Sequence, residues 1–317
     1  MKQVLFLLFA ALLLTGCNSV TYPKIEHNQS FIATVNIKDT SLTFLDEQYK
    51  HLADWDLSIP FMGGLLLQDG DTLLLYGKDM DSIEVFSLEK GKQIDSWEAK
   101  KGIVNMKLLQ DGKSIAAVNQ SLNNVSFYNE EGQIEDQIKV GKSPMMLLQD
   151  HQQLYVMNFG ETKLSVINLR TRKVERDFVI QASSTGALLR EEQQEIWLGG
   201  HGMGAKMEEN VHVYSTETGE LKRTLNTPIM PINIMENAAG IFILSHGSNA
   251  LYKVDETYKV VKSTTVGVNP FEMTTVRDDI LIAGYDSDEL YVMDSKSMKV
   301  KQTIKVGKGP FQMISRE

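Results

Sequence analysis

Two of the six histidines, His201 and His246, share one local setting: each ends a short apolar run and is followed by glycine, in EIWLGGHG and IFILSHG. Imidazoles in such turns can act as general bases, and two of them with a carboxylate such as Asp286 would suit a transition metal. Equivalent runs end in Tyr285-Asp286, in Phe159 and in Lys78, which would bring aromatic, acidic and basic groups to the same position. Lys206 lies in GGHGMGAKMEEN at 199–210, where the glycines at 199, 200, 202 and 204 permit backbone approach to a ligand, an anion being the one Lys206 would favour. Glu272 follows the turn VGVNPF.

Several chemistries are absent as motifs. There is no HExxH, HxxxH or Cys–His spacing for a metal, and no GxSxG elbow for a nucleophilic serine. Asp79/Asp81 and Asp286/Asp288 lack the Gly and Glu remainder of a calcium loop, and hairpin turns use Asp for backbone bonding. No helical pattern follows the glycines at 199–204, which disfavours a nucleotide phosphate loop. Met106, Met273 and Met313 share one repeat position, where a thioether is expected to fill gaps between packed elements. No catalytic set is identified and no cofactor is expected; His201, His246 and Asp286 are the weak candidates for a metal.

The spacing of these residues leads to the architecture. Phe159 to His201 is 42 residues, His201 to His246 is 45, and His246 to Tyr285 is 39. The turns VGKSPMM, VGVNPFEM and VGKGPFQM recur with Pro144, Pro270 and Pro310, and Pro60 and Pro231 keep the same phase. Each period, of about 42 residues, reads as four short strands with polar turns between them, the sequence signature of a propeller blade. The second strands are TLLLYG, SIAAVN, QLYVMN, EIWLGG, GIFILS and DILIAG; the third include SIEVFS, NVSFYN, KLSVIN and ELYVMD. Residues 31–56 supply second, third and fourth strands without a first, and VGKGPFQMIS supplies a first strand alone. Together they make a seventh blade. The expectation is an all-β, seven-bladed β-propeller over 31–317 with one blade closed by N- and C-terminal strands.

In such a ring the turn after the second strand lies on the same face as the Val-Gly…Pro turn, so His201, His246, Tyr285, Asp286, Phe159 and Lys78 should surround the channel mouth. The first strands should line the channel with Met62, Asn105, Met146, Ala187, Asn233, Glu272 and Gln312, Glu272 carrying the only charge among them. A solvated channel carboxylate without a ligand fits that pattern as well as a binding group does.

The repeat resembles the YVTN-type β-propellers, through Val140-Gly141…Pro144, LYVMN at 154–158 and LSVIN at 164–168, and again through ILIAGYDSDELYVMD in blade seven. The other blades keep the strand pattern and lose much of the signature. Three function classes are compatible with the resemblance: a non-enzymatic binding or assembly platform, favoured because no catalytic set is evident; a hydrolase similar to propeller lactonases, using His201, His246 and Glu272 or Asp286; and a dehydrogenase, or a subunit of one, similar to quinoprotein enzymes.

The N-terminus suggests a location. Lys2 precedes an apolar run from Val4 to Leu14 whose roughly 16 Å as a helix is about half a bilayer core, fitting a signal peptide over 1–16. Leu14-Thr15-Gly16-Cys17 resembles the lipobox of bacterial lipoproteins, which implies cleavage before Cys17 and acylation of its thiol, by palmitate or a similar chain; two or more chains give a stable anchor. Residues 17–30 then read as the lipidated Cys and a tether. The expected site is the extracytoplasmic face of a bacterial cell membrane, as a monomeric ring with an envelope protein, peptide or glycan as partner. Cys17 is the sole cysteine among 317 residues, so no disulfide can form within the chain, and 41 acidic against 32 basic residues argue against nucleic acid as a partner.

Overall fold

The structure, a computed structural model, describes residues 20–203 and 206–317. The expected signal peptide and Cys17 lie outside the described residues, as do Gly204 and Ala205. No helix among the described residues is long and apolar enough to cross a membrane.

Seven four-stranded antiparallel sheets form the blades of a propeller. Six are simple meanders: 63–98, 103–139, 144–179, 184–226, 231–265 and 270–305 are blades two to seven. Blade one is composite. Pro310–Arg316 pairs as the inner strand with Phe31–Asn36, followed outward by Ser41–Leu45 and His51–Asp56. The closure expected from the unpaired first and last strands is therefore present, and it leaves neither terminus with a bare central strand edge.

Second and third strands form the middle of each blade and are apolar on both faces, because each blade is sandwiched between two others. Leu42, Phe44, Leu73 and Leu75 are buried in one such layer between blades one and two, and Trp197, Val211, Val213 and Ile243 in another between blades five and six. Truncating one of these to Ala should cost about 2–5 kcal/mol through lost contact and the cavity left behind. Outer strands are largely polar and exposed, and in blades one to five a large apolar residue near the end is buried: Trp55, Trp97, Ile138, Phe178 or Leu225. That pattern anchors the strand while its charged remainder discourages edge pairing with other chains.

The segment leading into the first strand is docked on the propeller from Tyr22 onward. Tyr22 and Ile25 donate backbone hydrogen bonds to the carbonyls of Gly91 and Leu88, and Ile25 is buried. Tyr22 stacks on Trp55 at 5.0 Å between ring centroids, and the Trp55 indole N–H donates to the Pro23 carbonyl at 2.8 Å. Arg316 donates to the carbonyls of Glu26, Gln29 and Gly70, tying this segment to the last inner strand. The polar letters of 18–30 concealed two apolar anchors, Tyr22 and Ile25, that fill the seam between blades one and two.

Inner strands open with a common irregularity. The pairing slips by one residue after Pro144, Pro231 and Pro270, after Ile103 and Ser184, and opposite Pro310. Such a bulge turns the following side chain away from the strand's alternation. It aims Met145, Thr185, Phe271 and Phe311 into the central cavity.

Candidate functional site at the channel mouth

The mouth is formed where the turns after the second strands meet the turns before the inner strands. One backbone bond repeats around it: the N–H groups of Phe159, His201, His246 and Tyr285 donate to the carbonyls of Ser143, Ser183, Met230 and Asn269, each just before an inner strand. These four residues are therefore structurally equivalent, and the repeat places them on one rim.

Below the rim lies a cavity of about 400 Å³. All seven residues expected to line the channel do line it: Met62, Asn105, Met146, Ala187, Asn233, Glu272 and Gln312, together with Lys78 from the rim. The wall is uneven. On the side of blades five, six, seven and one stands an aromatic arc, with His201 and His246 edge to face at 5.6 Å and His246 against Phe271 at 5.8 Å. Phe271 lies 4.4 Å from Phe311 and 6.2 Å from Tyr285. Across the cavity Met62, Met145 and Met146 present a softer, thioether-rich surface.

Glycine explains why the two imidazoles meet. A side chain at Gly199 would strike the Pro231 carbonyl at 2.2 Å, and one at Gly186 would strike the Ile232 backbone at 2.5 Å. Blades five and six can approach this closely only because both positions lack Cβ. Gly199 and Gly200, read from the sequence as room for a ligand, thus serve blade packing: the atoms they accommodate are the Pro231 and Ser183 carbonyls.

Electrostatics divide the rim from the cavity. At the rim, Asp286 accepts from the Lys38 ammonium at 2.7 Å and from the Asn269 amide at 2.8 Å, and these bonds hold its carboxyl below the usual range. The same ammonium lies 4.1 Å above the Tyr285 ring. His201 is held below its ordinary pKa by burial and then by the neighbouring His246; burial also lowers His246, against the opposing pull of the Pro270 carbonyl and Asp286. Both imidazoles are neutral at pH 7, and Thr185 Oγ1 sits 3.4 Å from His201 Nδ1. Inside the cavity, Glu272 has no hydrogen-bond or ion-pair partner among the described residues, and burial alone pushes its carboxyl up to about 8. It is half-buried and faces cavity space, so the protein around it removes much, though not all, of its hydration.

Of the candidates read from the sequence, His201, His246, Tyr285 and Asp286 gather on one sector of the rim, and Glu272 and Lys78 line the cavity. Phe159 occupies the equivalent rim position on blade four, half-buried. Lys206 is separate: it is exposed on a small hairpin in which Gly202–Met203 pairs with Lys206–Met207. No group of three or more His, Cys, Asp or Glu suited to a metal occurs among the described residues. Phe271, Phe311 and Thr185 were missed; the recurring Pro-Phe of NPFEM and GPFQM was the signal for the two phenylalanines, but an alternating strand would have turned that residue elsewhere, and Thr185 had none.

A second concavity, an open groove of about 810 Å³, lies between blades five and six on the opposite face. At one side of it Arg190 donates twice to Glu236 at 2.8 and 2.9 Å, and the adjoining buried Glu195 receives the Trp197 indole at 3.0 Å and faces Lys222 at 3.1 Å.

No family model matches the chain, and no curated protein matches it in sequence. Solved structures do share its architecture. A functionally unknown protein from Desulfotomaculum acetoxidans DSM 771 is similar with a TM-score of 0.74 at 12% identity, over 90% of this chain and 98% of that one. The dihydro-heme d1 dehydrogenase NirN in complex with DHE gives 0.68 at 13% identity, over 92% and 77%. Apo AztD from Citrobacter koseri gives 0.61 at 13% identity, over 91% and 97%. Identities this low speak for fold, and propellers host unrelated functions. What the geometry and the neighbours jointly show is a seven-bladed β-propeller closed by its own two termini.

Proposed function

We propose that this protein is a lipid-anchored, extracytoplasmic binding module of the bacterial envelope, a propeller that presents its channel mouth to a ligand or partner and performs no reaction itself. The observation that carries this reading is the mouth: a concave cavity, an aromatic arc and a few convergent polar groups, the arrangement a binding site requires. A lactonase-like hydrolase would need a base oriented by a carboxylate, whereas Asp286 is engaged by Lys38 and Asn269 and Glu272 is held protonated. The chain path also fits an anchor. Residues 22–29 run along turns at the end of the ring opposite the mouth, so acyl chains on Cys17 would leave the mouth directed away from the membrane.

The hairpin beside His201 displays two exposed methionines, Met203 and Met207, as contact points at the rim. The test is crosslinking in native membranes. A reproducible partner should be captured by the wild type and lost when Met203→Ser and Met207→Ser are combined, and Cys17→Ala should move the protein to the soluble fraction. Turnover of a lactone panel that vanishes in His201→Ala would overturn the non-enzymatic reading, and membrane retention of Cys17→Ala would overturn the anchor.

A further inference from the structure

Resting on the binding-module reading, we propose that the central cavity takes an organic cation, an amine whose ammonium pairs with the Glu272 carboxylate while its apolar body lies against Phe271 and Phe311. The rim supplies the internal precedent. There, the Lys38 ammonium is held between the Tyr285 ring at 4.1 Å and the Asp286 carboxylate at 2.7 Å. One layer deeper the same two elements recur: the Phe271 and Phe311 rings 4.4 Å apart, and the Glu272 carboxyl on the adjacent residue, with no ammonium paired to it among the described residues. An aromatic face attracts a desolvated cation, and an enclosed carboxylate is costly until paired.

The other charged and titratable groups around Glu272 leave that pairing to a ligand. Tyr76, from the second strand of blade two, is buried and stays neutral because burial raises its pKa. Lys78 stands at the exposed rim and Lys107 lies further along the inner strand of blade three, its pKa lowered by burial; neither forms an ion pair with Glu272. His201 and His246 are neutral. The remaining lining groups near the carboxyl are amides and thioethers: Asn105, Asn233, Gln312, Met62 and Met146. Such a wall offers an amine no competing fixed cation paired with Glu272 among the described residues.

The experiment is calorimetric titration of the purified protein with phenethylammonium, 2-phenylethanol and 3-phenylpropionate, probes of similar body and different charge. The ammonium should bind at least about tenfold more tightly than the other two, a gap in keeping with a charge-assisted contact. Its affinity should rise close to tenfold from pH 6 to pH 7 and level off by about pH 9, as Glu272 ionises. Glu272→Gln should remove the preference and the pH dependence while thermal unfolding shows the fold retained. Equal binding of the alcohol, tighter binding of the carboxylate, no binding of any probe, or an unchanged ammonium affinity in Glu272→Gln would each overturn the proposal. Partner capture at the rim is read separately, so loss of amine binding alone leaves the binding-module reading standing, and loss of capture alone leaves the amine site standing.

Discussion

The two concavities use carboxylates in opposite ways. In the groove between blades five and six, Glu195 is almost wholly buried, yet the Trp197 indole, Lys222 and Arg190 surround it. Burial alone would push this carboxyl up, but those partners outweigh it and hold it below its ordinary value. In the central cavity, Glu272 is enclosed with no partner and goes the other way, up to about 8. A carboxylate taken out of bulk water thus has two meanings here. Where the chain supplies the counter-charge, the carboxylate holds blades together; where it does not, the carboxyl is available to something that enters.

The largest effect that could break this contrast is at Glu195. Glu195→Ala would leave the Trp197 N–H, Lys222 and Arg190 facing a void, and should lower unfolding free energy by about 3 kcal/mol in urea melts. A loss below about 1 kcal/mol would mean that the network is ornamental and the distinction false.

Glu272→Gln should do the reverse. The folded carboxyl titrates near 8 and the unfolded one near its ordinary 4.5, so across that window the folded state holds a proton that the unfolded state has released. Wild-type stability therefore falls as pH rises from about 4.5 to 8 and is flat above. The glutamine variant lacks this slope: it should match the wild type near pH 4.5 and exceed it by roughly 1–3 kcal/mol at pH 9, a range reduced to allow for water reaching the cavity. A wild-type slope of the opposite sign would place a counter-charge beside Glu272.

The smallest effect belongs to the histidines. Both are lowered from the ordinary 6.5, chiefly by burial, so the unfolded chain takes up protons before the folded one does as pH falls. Their contribution is complete above about pH 6.5 and is lost progressively below it. The double variant His201→Gln, His246→Gln should flatten that acid limb in thermal melts; an unchanged limb would locate the acid sensitivity elsewhere.

Much of this molecule was legible as pattern. The prolines at 144, 231, 270 and 310, with the apolar runs between them, located all seven blades, because every blade must bury the same middle strands against its neighbours. The equivalence of Phe159, His201, His246 and Tyr285 followed from the same period and is matched by a repeated backbone bond. The docking of residues 22–29 was not legible because Tyr22 and Ile25 are too few to form a pattern, yet each fills a gap that exists only once blades one and two are side by side.

By itself, then, the sequence determined the ring, its closure by both termini and the residues that share a position around the mouth. All of these rest on short-range alternation and a fixed repeat. Tertiary structure alone decided which of those residues meet and in what state. The bulge after each proline depends on pairing with the second strand, so the turn of Phe271 and Phe311 into the cavity could not be read from alternation. The contact of His201 with His246 depends on two glycines pressed against the next blade. Glu272 is unusual through having no hydrogen-bond or ion-pair partner among the described residues, a property of the assembled ring that no local stretch of sequence encodes.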